Sequence, residues 1–156
     1  MNNQANKKGV FTSHLFDEKS FYSSFLEDLH NCQSEVIIES PFISKTRMKS
    51  LFPVFRKLIE KKVAVYVMTK DPSLLEYPLA SHSEAVIQEF EALGVQVFVT
   101  KNEHHRKLAI LDRHVLWEGS LNILSQTNSR EIMRRIESST HAQEMFEFLE
   151  WNIRIN

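Results

Sequence analysis

Apolar residues recur along this chain in two rhythms, and the alternation between them divides it into helices and strands. Phe21, Phe25, Leu26, Leu29 and Cys32 return at helical spacing, which predicts a helix over about residues 18–32. Glu35-Val36-Ile37-Ile38-Glu39-Ser40 is short, β-branched at its centre and stopped by Pro41, the pattern of a buried strand. Leu51, Phe55, Leu58 and Ile59 make the next helical stripe. Pro53 is tolerable only in that helix's first turn, which places its start near Ser50. Val63 to Met68 reads as a second buried strand. Lys70 to Ser81 holds two prolines and reads as a loop over a site. Ser81 and Glu84 have capping-box spacing, and Gly94 ends the helix they open. Strands follow at Val95–Thr100, at about 104–112 and 115–119, and from Arg130 to Ile136. Thr140 and Gln143 form a second capping-box pair, with Met145, Phe146 and Leu149 as the apolar face of a last helix.

This order predicts an α/β fold, a mixed β-sheet flanked by helices on both faces. Residues 1–15 are polar and aperiodic and are expected to be a flexible lead-in, with residues 16–156 as a single domain. Composition adds that 42% hydrophobic and 10% aromatic content suffices for a core in 156 residues. No apolar run is long enough to span a membrane, and the two early lysines lack the apolar stretch of a signal peptide. Cys32 is the only cysteine, so no disulfide forms within the chain and a reducing, cytoplasmic setting is expected. It closes an apolar stripe and reads as core. A net charge of −1 argues against tight, non-specific wrapping on nucleic acid. Lys45, Arg47, Lys49, Lys61 and Lys62 read as solvated helix positions. Arg130, Arg134 and Arg135 could be a solvated strand or a nucleic-acid contact.

The chemistry concentrates in HHRKLAILDRHVLWEGSLN, residues 104–122. On a strand, residues two apart share a face and lie roughly 6.6 Å from one another. His105 and Lys107 therefore project together, with Arg106 and Leu108 opposite, and Asp112 falls at the turn into the next strand. Gly119 permits a sharp turn or a close approach, while Ser120 and Asn122 offer a hydroxyl and an amide to one space. A base or nucleophile, a cation and neutral donors together suit a phosphate whose charge must be offset in the transition state. A zinc site built on His104, His105 and His114 is disfavoured. Neighbours on a strand point apart, and no Cys or carboxylate stands at ligand spacing. His104 reads as a surface or loop residue. Glu39 reads as part of plain strand termination, with a lesser case for lining a site.

His105-x-Lys107-x4-Asp112-x6-Gly119-Ser120-x-Asn122 resembles the HKD motif of the phospholipase D superfamily, and the coarser pattern of elements resembles its fold from Val36 to the last helix. One motif in a short chain is similar to the superfamily's single-motif nuclease branch. GSLNILSQTNSREIMRR also looks like the end of such domains in some bacterial helicases and restriction enzymes. The resemblance implies metal-independent phosphodiester transfer without a cofactor. His105 would attack phosphorus to form a phosphohistidine, and a second motif His would protonate the leaving oxygen and then activate water. One chain has one motif, so a homodimer would supply the second. Lys107 and Asn122 would hold the non-bridging oxygens, with Ser120 close by and Arg130 a further substrate contact. Glu131 would orient the His through its other nitrogen, and Asp112 would serve structure and orientation. The expected substrate is nucleic acid, DNA favoured over RNA, with a helicase or ATPase as a candidate partner and no membrane. The alternatives are a phospholipid hydrolase or transferase, and a non-catalytic nucleic-acid-binding and dimerisation module of a larger helicase or restriction-type system.

Overall fold

The computed structural model describes residues 11–125 and 128–155. Strands β1 (Thr12–Asp17), β2 (Glu35–Glu39), β3 (Ala64–Lys70), β4 (Gln96–Thr100), β5 (Leu108–Leu111), β6 (Val115–Gly119) and β7 (Ile132–Glu137) form one sheet. Its spatial order is β1-β7-β6-β5-β2-β3-β4. β2, β3 and β4 run parallel, and β5 joins β2 antiparallel, followed by an antiparallel succession out to β1. The sheet is therefore mixed, as expected.

Helices α1 (Phe21–Asn31), α2 (Lys45–Glu60) and α3 (Leu79–Leu93) cover one face, and α4 (Ser139–Phe148) with α5 (Trp151–Arg154) covers the other. Strand parity sorts the core between them. Val36, Ile38, Val65, Val67, Ala109 and Leu111 meet the first three helices, while Ile37, Met68, Leu108 and Ile110 meet Phe146, Leu149 and Trp151.

Five boundaries differ from expectation. The lead-in was expected to run to residue 15, but Thr12–Asp17 is the edge strand β1, paired with β7 from Thr12↔Glu137 to Asp17↔Ile132. Residues 1–10 of that lead-in lie outside the described residues. Helix α2 starts at Lys45, where the Ser44 side chain accepts from the Arg47 amide, so Pro53 sits inside it. An interior proline costs about 3 kcal/mol, but Met48, Leu51, Val54, Phe55 and Leu58 are buried on this helix at roughly 1.5–3 kcal/mol each. Burial wins. Helix α3 begins two residues before the Ser81–Glu84 pair, and α4 is capped by Ser138, which accepts from the His141 amide, rather than by Thr140. Gly94 ends α3 with φ +109°, the left-handed terminus its position suggests. Last, β5 spans only Leu108–Leu111. His105 and Lys107 precede it on a segment outside the ladder, joined to β6 by the Gly119 amide donating to the Lys107 carbonyl at 3.3 Å.

Candidate active site

The site lies at the rim where β2 ends, β5 begins and β6 runs out into Ser120-Leu121-Asn122. Buried Leu121, Ile123 and Leu124 sink the latter turn into the core. Polar contacts then pin it. The Ser40 hydroxyl accepts from the Leu124 amide at 3.2 Å, the Leu124 carbonyl accepts from the Ser44 amide at 2.9 Å, and the Tyr22 hydroxyl donates to the Ile123 carbonyl at 2.6 Å. Burial pushes the Tyr22 phenol up to about 12, so it stays a donor. Asn122 is fixed by this frame, and its Oδ1 is buried with no hydrogen-bond partner. An orphaned buried acceptor is costly, and such groups gather where a ligand completes them.

Gly119 makes its close approach to protein rather than to ligand. A Cβ there would collide with the Ile132 carbonyl and stand 2.8 Å from Met133 Sδ. That contact lets Ser120 dock on β7, its amide donating to the Ile132 carbonyl at 2.9 Å and its hydroxyl accepting from the Ile132 amide at 3.0 Å. Glu131 precedes this docking point. The Ser120 and Ser129 hydroxyls hold its carboxyl below the ordinary range, and the Lys107 ammonium adds to the effect. Lys107 itself donates to the His105 carbonyl at 2.8 Å. Lys107, Ser120 and Glu131 are thus brought together, with His105 two residues before Lys107 and Asn122 two residues after Ser120. Arg130 is exposed beside them.

The structure fixes the partners of His105, Asp112 and His104. The carboxylate facing His105 Nε2 is Glu103 at 3.5 Å, whereas the Glu131 carboxyl accepts from the Ser129 hydroxyl at 2.7 Å and is held by Ser120 as well. Glu103 Oε2 also accepts from Lys70 Nζ at 2.9 Å, which holds it low. Asp112 lies at the other end of β5, roughly 16 Å from Lys107 along the chain at strand spacing. It accepts from the backbone amides of Gln33, Ser34 and Glu35 and from the Ser34 hydroxyl, at 2.8–2.9 Å. Burial alone would raise its pKa, but these donors bring it below the ordinary carboxylate value. Its role is to tie the α1–β2 loop to β5. His104, expected on the surface, is only 6% exposed. Burial first, and then the positive Arg106, His105 and Lys107 side chains, press its pKa down to about 4.

The residues that sequence reasoning underrated stand behind the site. Glu39 is fully buried, accepting from Arg106 Nε at 2.6 Å, Arg106 Nη2 at 3.1 Å and Trp151 Nε1 at 2.9 Å. His104 Nε2 lies 3.5 Å from Glu39 Oε2, yet without hydrogen-bond geometry. Parity gave a signal: Glu39 is two residues from Ile37, so it points at the α4–α5 face. Among the basic residues after the motif, Arg135 is committed to Asp28 at 2.7 and 2.9 Å, which takes it away from any substrate. Among the described residues no three His, Cys, Asp or Glu side chains converge where they could hold a metal ion.

A family described as "Cardiolipin synthase, PLD-like domain" matches this sequence over residues 25–152, which span the rim and both faces of the sheet. The chain belongs to this phospholipase D-like family. Its fold is that of solved phospholipase D-like proteins. The phospholipase D family member Nuc from Salmonella typhimurium is similar with a TM-score of 0.72 at 17% identity, over 92% of this chain and 95% of that one. NucT from Helicobacter pylori gives 0.69 at 13%, over 89% and 93%. Phosphatidylserine synthase from Haemophilus influenzae Rd KW20 gives 0.68 at 14%, over 92% of this chain but 38% of that one. No curated protein matches the sequence. Among the described residues no helix of this phospholipase D-like chain is long and apolar enough to cross a membrane.

Proposed function

We propose that this protein is a metal-independent phosphodiesterase that cleaves nucleic acid, DNA in preference to RNA, through a phosphohistidine, at a site completed by a second copy of the chain. The observation that carries the reading is that the Lys107 ammonium and the Ser120 hydroxyl both act on the Glu131 carboxyl at the rim, while Lys107 is bonded to the His105 carbonyl. A cation and a hydroxyl donor there suit a tetrahedral anion next to a nucleophile.

In the first step His105 attacks phosphorus, an N–P bond forms and the bond to the leaving oxygen breaks. That oxygen takes its proton from His105 of the second copy. In the second step the same partner histidine removes a proton from water, which attacks phosphorus and releases His105. Lys107 and Asn122 hold the non-bridging oxygens throughout. Two features support pairing of two copies. His105 has a side chain 68% exposed here, too open for desolvated chemistry. Exposed Leu15, Ile132 and Phe148 line one groove of about 530 Å³ with Lys107, an apolar rim suited to a protein neighbour.

The test incubates single- and double-stranded DNA and RNA with the protein in EDTA. Wild type is expected to cleave and His105→Ala to leave the strands intact, with a bell-shaped pH–rate profile because one histidine must be neutral and the other protonated. Equal strand loss with wild type and variant would sink the proposal, and release of head group from phosphatidylcholine vesicles in place of strand cleavage would reassign the substrate.

A further inference from the structure

Between the end of β4 at Thr100 and the start of β5 at Leu108 the chain has no regular pairing, yet it carries the two residues on which the proposed chemistry depends. Apart from one backbone bond, the Gly119 amide donating to the Lys107 carbonyl at 3.3 Å, this segment is held by its side chains. Two anchors are visible. One is Lys70 Nζ to Glu103 at 2.9 Å, with Glu103 itself 70% exposed, an arrangement that solvent screens. The other is buried at its acid end: Arg106, 42% exposed and standing between His105 and Lys107, grips the buried Glu39 carboxylate with two of its nitrogens.

The carboxylate of Glu39 has no exposure at all, and an unpaired charge there would cost several kcal/mol. Its partners come from separate parts of the chain, Arg106 from the segment before β5 and Trp151 from α5. A pair of apolar residues of similar volume would satisfy this stretch of core as well or better. What an ion pair adds is direction, because a guanidinium fork on a carboxylate fixes angle as well as distance. Residues on either side of Arg106 point away from it, so fixing its fork fixes the face that His105 and Lys107 present. His104 packs against the same carboxylate from the preceding residue pair.

We propose that Glu39 and Arg106, with Trp151 as the second donor to Glu39, are positioning residues for this site: they touch no substrate and set the aim of His105 and Lys107. This rests on the phosphodiesterase reading, and the experiment separates the two. A misplacement near 1 Å can cost on the order of a hundredfold in rate, so a loosened clamp should act on turnover more than on binding.

The full-length protein is compared with Glu39→Gln, Arg106→Lys and the double variant. A short single-stranded DNA is the substrate, His105→Ala is the cleavage control, and amide hydrogen exchange is followed over residues 103–107. Trp151→Phe serves if Glu39→Gln does not fold, since it removes one donor and keeps the shape. The expected result is a kcat lower by about ten- to hundredfold with KM within threefold, and faster exchange confined to 103–107. The double variant should be no worse than the weaker single, because both changes undo one contact. A rise in KM with an altered salt dependence, kcat unchanged, would overturn the proposal by placing Arg106 on the nucleic acid. Unchanged kcat per folded molecule would overturn it too, leaving the pair as a stabiliser of the fold, and so would additive losses. If wild type cleaves nothing, the phosphodiesterase reading fails by itself, and exchange over 103–107 still decides whether the clamp exists.

Discussion

Replacing Asp112 separates a structural reading of the motif from a chemical one. The carboxylate accepts four hydrogen bonds, from the amides of Gln33, Ser34 and Glu35 and from the Ser34 hydroxyl. Bonds to a charged acceptor contribute about 1.5–3 kcal/mol where solvent cannot replace them, and nearer 0.5 where it can. Gln33 and Ser34 are exposed, so only the half-buried Glu35 amide takes the larger figure. Asp112 also has φ +52°, which Asp and Asn tolerate better than Ala. Asp112→Ala should therefore lose about 3–4 kcal/mol, a fall of about 10 °C in Tm for a chain of this size. Asp112→Asn keeps the shape and an acceptor oxygen and should lose about a third of that. Because the folded-state pKa is lowered, the advantage over Asn is present above the unfolded value of about 4 and fades as pH falls through the folded one. Thermal scans at pH 7 and at pH 3, with cleavage normalised to folded protein, decide the matter. A Tm unmoved in Asp112→Ala would refute the hydrogen-bond accounting. A tenfold loss of turnover in folded Asp112→Asn would refute the placement of this residue outside the chemistry.

Other perturbations probe the remaining parts of the site. Gly119→Ala drives a methyl into the Ile132 carbonyl and should cost about 2–3 kcal/mol with loss of cleavage; calorimetry showing a change below half that would contradict the close approach. His104, between Glu39, Arg106, His105 and Lys107, should show ring signals that do not titrate by NMR between pH 5.5 and 8. Its depressed pKa means that stability is complete above about 6.5 and falls toward pH 4, by up to about 1.4 kcal/mol per unit, a slope that His104→Gln should flatten. Phe148→Asp, at a position 82% exposed, should shift sedimentation toward the monomer and reduce cleavage most at low protein concentration; an unchanged dimer would place the interface elsewhere.

The amino-acid sequence by itself determined the layers and the motif, because both rest on local periodicity. Alternation in Val36–Ile38 and the helical stripe of α1 follow from side-chain geometry one or two turns away. The HxK and GSxN spacings are likewise local, and Lys107 and Ser120 from them meet at the Glu131 carboxyl. The tertiary structure decided whatever depended on distant partners. Thr12–Asp17 became a strand because β7 offered it an edge, and Pro53 stayed inside α2 because five buried side chains outweighed one missing hydrogen bond. Asp112, expected in a structural role at the turn after β5, found its partners in the α1–β2 loop, 77 to 79 positions away in sequence. Glu39, which looked like the end of a strand, became a buried carboxylate only when Arg106 and Trp151 arrived from 67 and 112 positions away. A charge in a core is affordable only with its partners in place, and partners are chosen by the fold rather than by the neighbours in the chain.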